Sequence, residues 1–190
     1  MRQLADILEH LSTGFDLLNA STQNQTPKCR SLYRWVLENG LGYESKPLTR
    51  SELKLVSEHL QYREVQQCFS NCQQTVLDKH FLDIHRIARG ELGLLSPFSY
   101  VEGYVLCTDF PIPIHHAWLL LGGKVVDPTL RLSRPSKRRL WPELVLGRFP
   151  QTREYYGSVI SWRDVALCIK RNLAWHTVLD DWVHGHPLMQ

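Results

Sequence analysis

The feature that most constrains this chain is the Gly122-Gly123 pair inside Tyr100–Leu130, YVEGYVLCTDFPIPIHHAWLLLGGKVVDPTL. It separates an apolar and aromatic run, HHAWLLL, from a β-branched one, KVVD. Two glycines between such runs mark a β-hairpin with a two-residue loop. That loop sets the register: Leu121 faces Lys124, Trp118 faces Asp127, and His116 faces Thr129. Facing side chains share one side of a sheet, and side chains alternate along each strand. His116, Trp118, Asp127 and Thr129 are therefore expected on one face and His115 on the other. His116 and Asp127 become diagonal neighbours, roughly 7–8 Å apart at the backbone and within side-chain reach. Ahead of the hairpin, the stretch reads as a strand, Tyr100–Cys107, followed by a loop.

A histidine held by a carboxylate is either a satisfied structural pair or the orienting half of a nucleophilic triad. In a triad the acid fixes the tautomer and stabilises the imidazolium. The stretch supplies no nucleophile; the candidate is Cys68, upstream in VQQCFSNCQQTVL. Cys72, Val76 and His80, with Leu77, Phe81 and Ile84, recur at helical spacing, so a helix begins near Cys68 and runs into the eighties. A cysteine there meets the positive end of the helix dipole and free N–H groups, an environment that favours the attacking form of a thiol. The same N–H groups can stabilise an oxyanion. Taken alone, Cys68 reads sooner as a buried, inert cysteine; the His–Asp pair is what makes it a candidate. Cys72, one turn further in, reads as a small packing residue. Glu102 is either a solvent-facing strand residue or a neighbour of the site.

The 190 residues, 43% hydrophobic and 22% charged, suit one domain with a real core. The formal charge is +3 and the basic residues are scattered, apart from Arg134–Arg139, RPSKRR. That run reads as a solvated loop. No nucleic-acid motif accompanies it, so a nucleic-acid partner is not expected. No signal segment or membrane span is seen. The five cysteines, at 29, 68, 72, 107 and 168, are odd in number and widely spaced. This points to reduced thiols and a cytoplasmic location. Cys68-x₃-Cys72 has no second pair at zinc spacing, and His176, His184 and His186 lack acidic companions. Neither metal nor cofactor is expected.

Elsewhere the periodicity predicts a helix over 2–20, a polar linker over 21–28, and a helix over 29–39 stopped by Gly40. Thr49-Arg-Ser-Glu52 is a capping box opening a helix through about Leu60. His80 and His85 read as ordinary helix residues. Residues 131–150 read as loop with a short helix around Trp141 and Leu144–Leu146. Ser158–Ile160 reads as a short strand. Ser161-Trp-Arg-Asp164 caps a helix carrying Val165, Cys168, Ile169 and Leu173, and Thr177–Val183 adds a turn or two. Trp141, Tyr155, Tyr156 and Trp162 are candidates for an aromatic surface that engages a partner.

The order Cys68, then Tyr100-Val-Glu-Gly-Tyr104, then His116-Ala-Trp118, then Val126-Asp-Pro-Thr129 resembles the transglutaminase-like branch of the papain-like cysteine hydrolases. The spacings are 48 residues from Cys68 to His116 and 11 from His116 to Asp127. The resemblance covers residues 65–130. It implies Cys68 as nucleophile, His116 as general base and acid, and Asp127 as orienting carboxylate. It also implies an α+β, papain-like fold in which helices pack on an antiparallel sheet. The whole chain, 1–190, would then be one such domain, with N-terminal helices in 1–62, the catalytic core in 65–130 and C-terminal helices in 155–190. Many family members have a glycine two residues before the cysteine, where this chain has Gln66. Gln66 or Gln67 is a candidate oxyanion donor, as a glutamine is in papain-like enzymes, and Trp118 and Glu102 are further candidates for the substrate side. A small domain of this kind is similar to bacterial or phage versions, including effector glutamine deamidases. The implied activity is amide hydrolysis of a protein substrate through a thioester, with glutamine deamidation ahead of proteolysis and cross-linking. The competing expectation is an inactive module that keeps the fold and binds a partner protein.

Overall fold

The computed structural model describes residues 2–21, 32–60, 64, 66–88, 97–107, 110–131 and 144–179. Three helices come first: α1 (Arg2–Ser21), α2 (Leu32–Asn39) and α3 (Arg50–His59), with a short strand β1 (Leu41–Tyr43) before α3. Next come α4 (Cys68–Ala88), β2 (Phe98–Cys107), β3 (Phe110–Leu121), β4 (Lys124–Arg131), β5 (Leu144–Leu146), β6 (Arg153–Ile160) and α5 (Trp162–Asn172). The strands form one sheet in the order β1-β6-β2-β3-β4-β5. Every pairing in it is antiparallel. The class is α+β.

The local signals act as expected at several element ends. Glu52 N–H donates to Thr49 Oγ1 while Thr49 N–H donates to Glu52 Oε2, completing the capping box of α3. Ser161 caps α5. Gly122 and Gly123 have φ of 57° and 75°, the pair of positive values that a tight hairpin turn demands. Lys124 Nζ beside that turn donates to both oxygens of Glu52, which ties α3 to the hairpin tip.

Helices cover one face of the sheet. Leu4 and Leu8 of α1, Trp35 and Val36 of α2, Cys72 and Val76 of α4, and Val165 and Cys168 of α5 pack there with Tyr100, Tyr104, Ala117 and Leu119. The other face holds a second core of Tyr43, Val101, Val105, Trp118, Leu120, Val125, Val145 and Tyr155, supplied by the strands themselves. The sheet buries this face by curling. Tyr43 on β1 and Trp118 on β3 are three strands apart, roughly 14 Å in a flat sheet, yet their ring centroids are 5.7 Å apart. The two edges meet beyond β1 and β5, where Lys46 N–H donates to Gly147 O and Phe149 N–H donates to Ser45 Oγ. The result is a strongly curled, barrel-like sheet whose edge strands β1 and β5 do not pair with each other, with α4 along its outside.

Several expected elements differ. The segment after Cys107 is not a long loop: β3 begins at Phe110 and takes in Pro111 and Pro113. Among the described residues β3 pairs with β4 only from Leu119 onward, so the proline half has β2 as its single neighbour. A strand tolerates a missing N–H on an unpaired side. Leu144–Leu146 is strand β5 rather than helix, because Val145 completes the sheet opposite Asp127. Strand β6 is longer than expected and contains Tyr155, Tyr156 and Gly157. Thr177–Leu179 is a turn rather than a helix, since its donors are bound to a buried carboxylate described below. Cys29, Arg134–Arg139, Trp141, His184 and His186 lie outside the described residues.

Candidate active site

His116 lies on the inner face of the curled sheet, as the two-glycine register requires. Its Nε2 donates to Asp127 Oδ2 at 2.8 Å. His115 points the other way, toward the helices. Asp127 is fully buried and its acceptor sites are filled. Tyr155 OH donates to Oδ2 at 2.9 Å, and the Thr129 and Leu130 N–H groups donate to Oδ1, each at 2.9 Å. The carboxylate is thus fixed by its own strand on one oxygen, leaving the other to orient the imidazole.

The β3–β4 ladder explains how a helix residue reaches this histidine. Paired residues run from Leu121–Lys124 to Leu119–Val126 and stop there. Beyond that point β4 leaves β3, and α4 reaches β4 through the Asn71 Nδ2 bond to Thr129 Oγ1. Cys68 is the first residue of α4 and half-buried. It sits close enough to His116 to favour the protonated form of the ring. With Nε2 committed to Asp127, Nδ1 is the ring nitrogen left for the thiol.

Burial alone pushes His116 below its usual 6.5. The charge and hydrogen bond of Asp127 outweigh it, with a contribution from Cys68, and carry the imidazole up to about 10. Burial likewise pushes the Asp127 carboxyl up, but His116 and the Leu130 and Thr129 N–H groups hold it below the usual carboxylate range. At neutral pH the pair is an imidazolium on a carboxylate. Such a ring can give a proton to a leaving group beside Cys68 and then take one from water.

Gln66 and Gln67 flank the cysteine and are exposed. Asn71 N–H donates to Gln67 O, the first bond of the helical ladder. Gln66 has a φ of 65°, in the left-handed region where glycine is favoured.

The other two candidates for the substrate side are corrected. Trp118 is wholly buried, edge-on to Tyr43 and Tyr155 and stacked 6.4 Å behind His116. It is a platform for the histidine, with no surface to offer a ligand. Glu102 is also wholly buried and neither faces solvent nor joins the His116 cluster. It receives Tyr100 OH, Thr177 Oγ1 and the Val178 and Leu179 N–H groups. His115 Nε2 is 3.0 Å from Glu102 Oε1 without an aligned hydrogen bond. Cys72 packs as expected, buried with its thiol toward Ala117 O. Among the described residues no cluster of side chains is arranged to hold a metal ion, and no helix is long and apolar enough to cross a membrane.

Tyr155 is buried rather than part of an aromatic surface. Its partnership with Asp127 was the main feature sequence reasoning missed. Period-2 alternation in β6 puts it on the inner face, but nothing local says which residue it meets across the barrel. The chain matches no family model, no curated protein and no solved structure.

Proposed function

We propose that the protein is a cysteine-dependent amide hydrolase acting on a protein substrate, built on a papain-like, transglutaminase-like fold. The observation that carries this reading is the His116–Asp127 hydrogen bond of 2.8 Å with Cys68 of the α4 N-terminus beside the same ring. A structural His–Asp pair has no need of a half-buried thiol at a helix N-terminus.

In the proposed reaction Cys68 sulfur attacks the carbonyl carbon of a carboxamide. The oxyanion is received by N–H groups at the start of α4, with Gln66 or Gln67 as a further donor. The C–N bond then breaks, His116 gives its proton to the departing nitrogen, and a thioester remains. His116 next takes a proton from water as the water attacks, the carbon–sulfur bond breaks, and the Cys68 thiolate that began the cycle is regenerated beside the imidazolium. Asp127 holds the tautomer throughout. Water acting on a glutamine side chain gives deamidation, the favoured outcome. The same steps on a backbone amide give proteolysis, and an amine in place of water gives cross-linking.

The test is incubation with a mixture of unfolded and native proteins, followed by mass spectrometry for glutamine converted to glutamate, new termini and cross-links. Cys68→Ser is the control. Conversion that needs Cys68 supports the reading. Equal backgrounds for wild type and Cys68→Ser, across all three products, oppose it.

A further inference from the structure

Asn71 is one turn into α4 and almost wholly buried. Its side chain spends every polar atom on two places that flank the candidate triad. Nδ2 donates to Glu64 O at 2.7 Å and Oδ1 accepts Glu64 N–H at 3.2 Å, so the chain entering Cys68 is gripped on both sides of one residue. Nδ2 also donates to Thr129 Oγ1 at 3.2 Å. Thr129 in turn gives its N–H to Asp127 Oδ1. This side chain therefore bridges the approach to the nucleophile and the strand of the acid, across the opening where β4 has left β3.

We propose that Asn71 is a positioning residue that sets the Cys68 thiol against the His116 ring. The inference rests on the hydrolase reading above and adds to it a part that acts without touching substrate. Three features support it. The grip on Glu64 is bidentate and so restrains direction as well as distance. Gln66 lies inside the gripped segment in a left-handed conformation, which a side chain adopts only when its surroundings hold it there. And where the ladder hydrogen bonds between β3 and β4 have ended, the Asn71 bond to Thr129 ties α4 to β4.

The experiment is iodoacetamide labelling at neutral pH with peptide mapping, on wild type, Asn71→Ala, Thr129→Val and Thr129→Ser. The buried Cys72 and Cys168 report local and global loosening in the same molecules, and half-buried Cys107 is the reference for an ordinary accessible thiol. In Asn71→Ala, Cys68 labelling is expected to fall roughly 10–100-fold, the scale of a misplaced reacting group, while Cys72 and Cys168 keep their slow rates. Thr129→Val should slow Cys68 as well, and Thr129→Ser, which retains the accepting oxygen, should restore it. A purely structural role gives no such rescue. Wild-type labelling of Cys68 in both Asn71→Ala and Thr129→Val overturns the proposal. If Asn71→Ala exposes Cys168, the valine and serine pair decides: no difference between them overturns it. If wild-type Cys68 is no faster than Cys107, it is the hydrolase reading that fails.

Discussion

His116 and Asp127 are joined by a hydrogen bond across a point where their strands no longer pair. The ladder between β3 and β4 ends at Leu119 and Val126, and the side chains close a gap that the backbones leave open. In the proposed reading, the same opening lets Cys68, which packs with the outer helical layer, act on a ring of the inner face. A continuous ladder would separate thiol and imidazole by the thickness of the sheet.

Asp127→Asn should keep the Thr129 and Leu130 N–H groups satisfied through the amide oxygen while removing the charge. The amide nitrogen then faces Nε2, and the ring proton moves to Nδ1, the side of Cys68. His116 should titrate far below about 10, read by NMR of its ring protons. Cys68-dependent turnover should fall roughly 10²–10⁴-fold.

The shifted groups also set a pH window for stability. His116 is raised, so its contribution is complete below 6.5 and is lost as pH climbs through about 10. Asp127 and Glu102 are lowered, so theirs is complete above 3.8 and 4.5 and is lost as pH falls through their depressed folded values. Denaturant midpoints should be highest between roughly pH 4.5 and 6.5 and fall on either side. His116→Ala should flatten the part of the alkaline decline that belongs to this ring.

Glu102→Ala should loosen the chain after α5. The Val178 and Leu179 N–H groups lose their acceptor, at a cost of roughly 1–3 kcal/mol for each orphaned donor. Hydrogen exchange at these two amides should accelerate well beyond that at Val101 or Val105 on β2. Equal protection in variant and wild type would show that Glu102 does not anchor this segment.

Gln66→Gly should leave stability unchanged or raise it by up to about 1 kcal/mol, because relief of a left-handed side chain is partly offset by the freedom glycine gains when unfolded. Gln66→Val should lower it, since a branched side chain fits that conformation worst. If Gln66 donates to the oxyanion, Gln66→Gly lowers turnover while Cys68 labelling stays fast; denaturant melts and labelling separate the two effects.

Much of the site was legible because its signals are local. Two glycines define the turn, the turn defines the register, and the register selects His116 over His115. Gln66, the residue two before Cys68, has a positive φ that its own side chain does not announce. What escaped depends on partners distant in sequence. Leu144–Leu146 is too short to show a period, and only the edge of β4 makes it a strand. Pro111 and Pro113 argue against a strand until β4 is seen to leave β3. Thr177–Leu179 gives its donors to Glu102 on β2, and Tyr155 meets Asp127 only because the sheet curls. No spacing within either segment encodes those meetings.

The central claim is that His116 activates Cys68, and iodoacetamide labelling of wild type and His116→Ala at neutral pH tests it most directly. The account predicts that Cys68 labels far faster than Cys72, Cys107 and Cys168 in the wild type and slows sharply in the variant. Labelling of Cys68 at the rate of Cys107 in both proteins would contradict it.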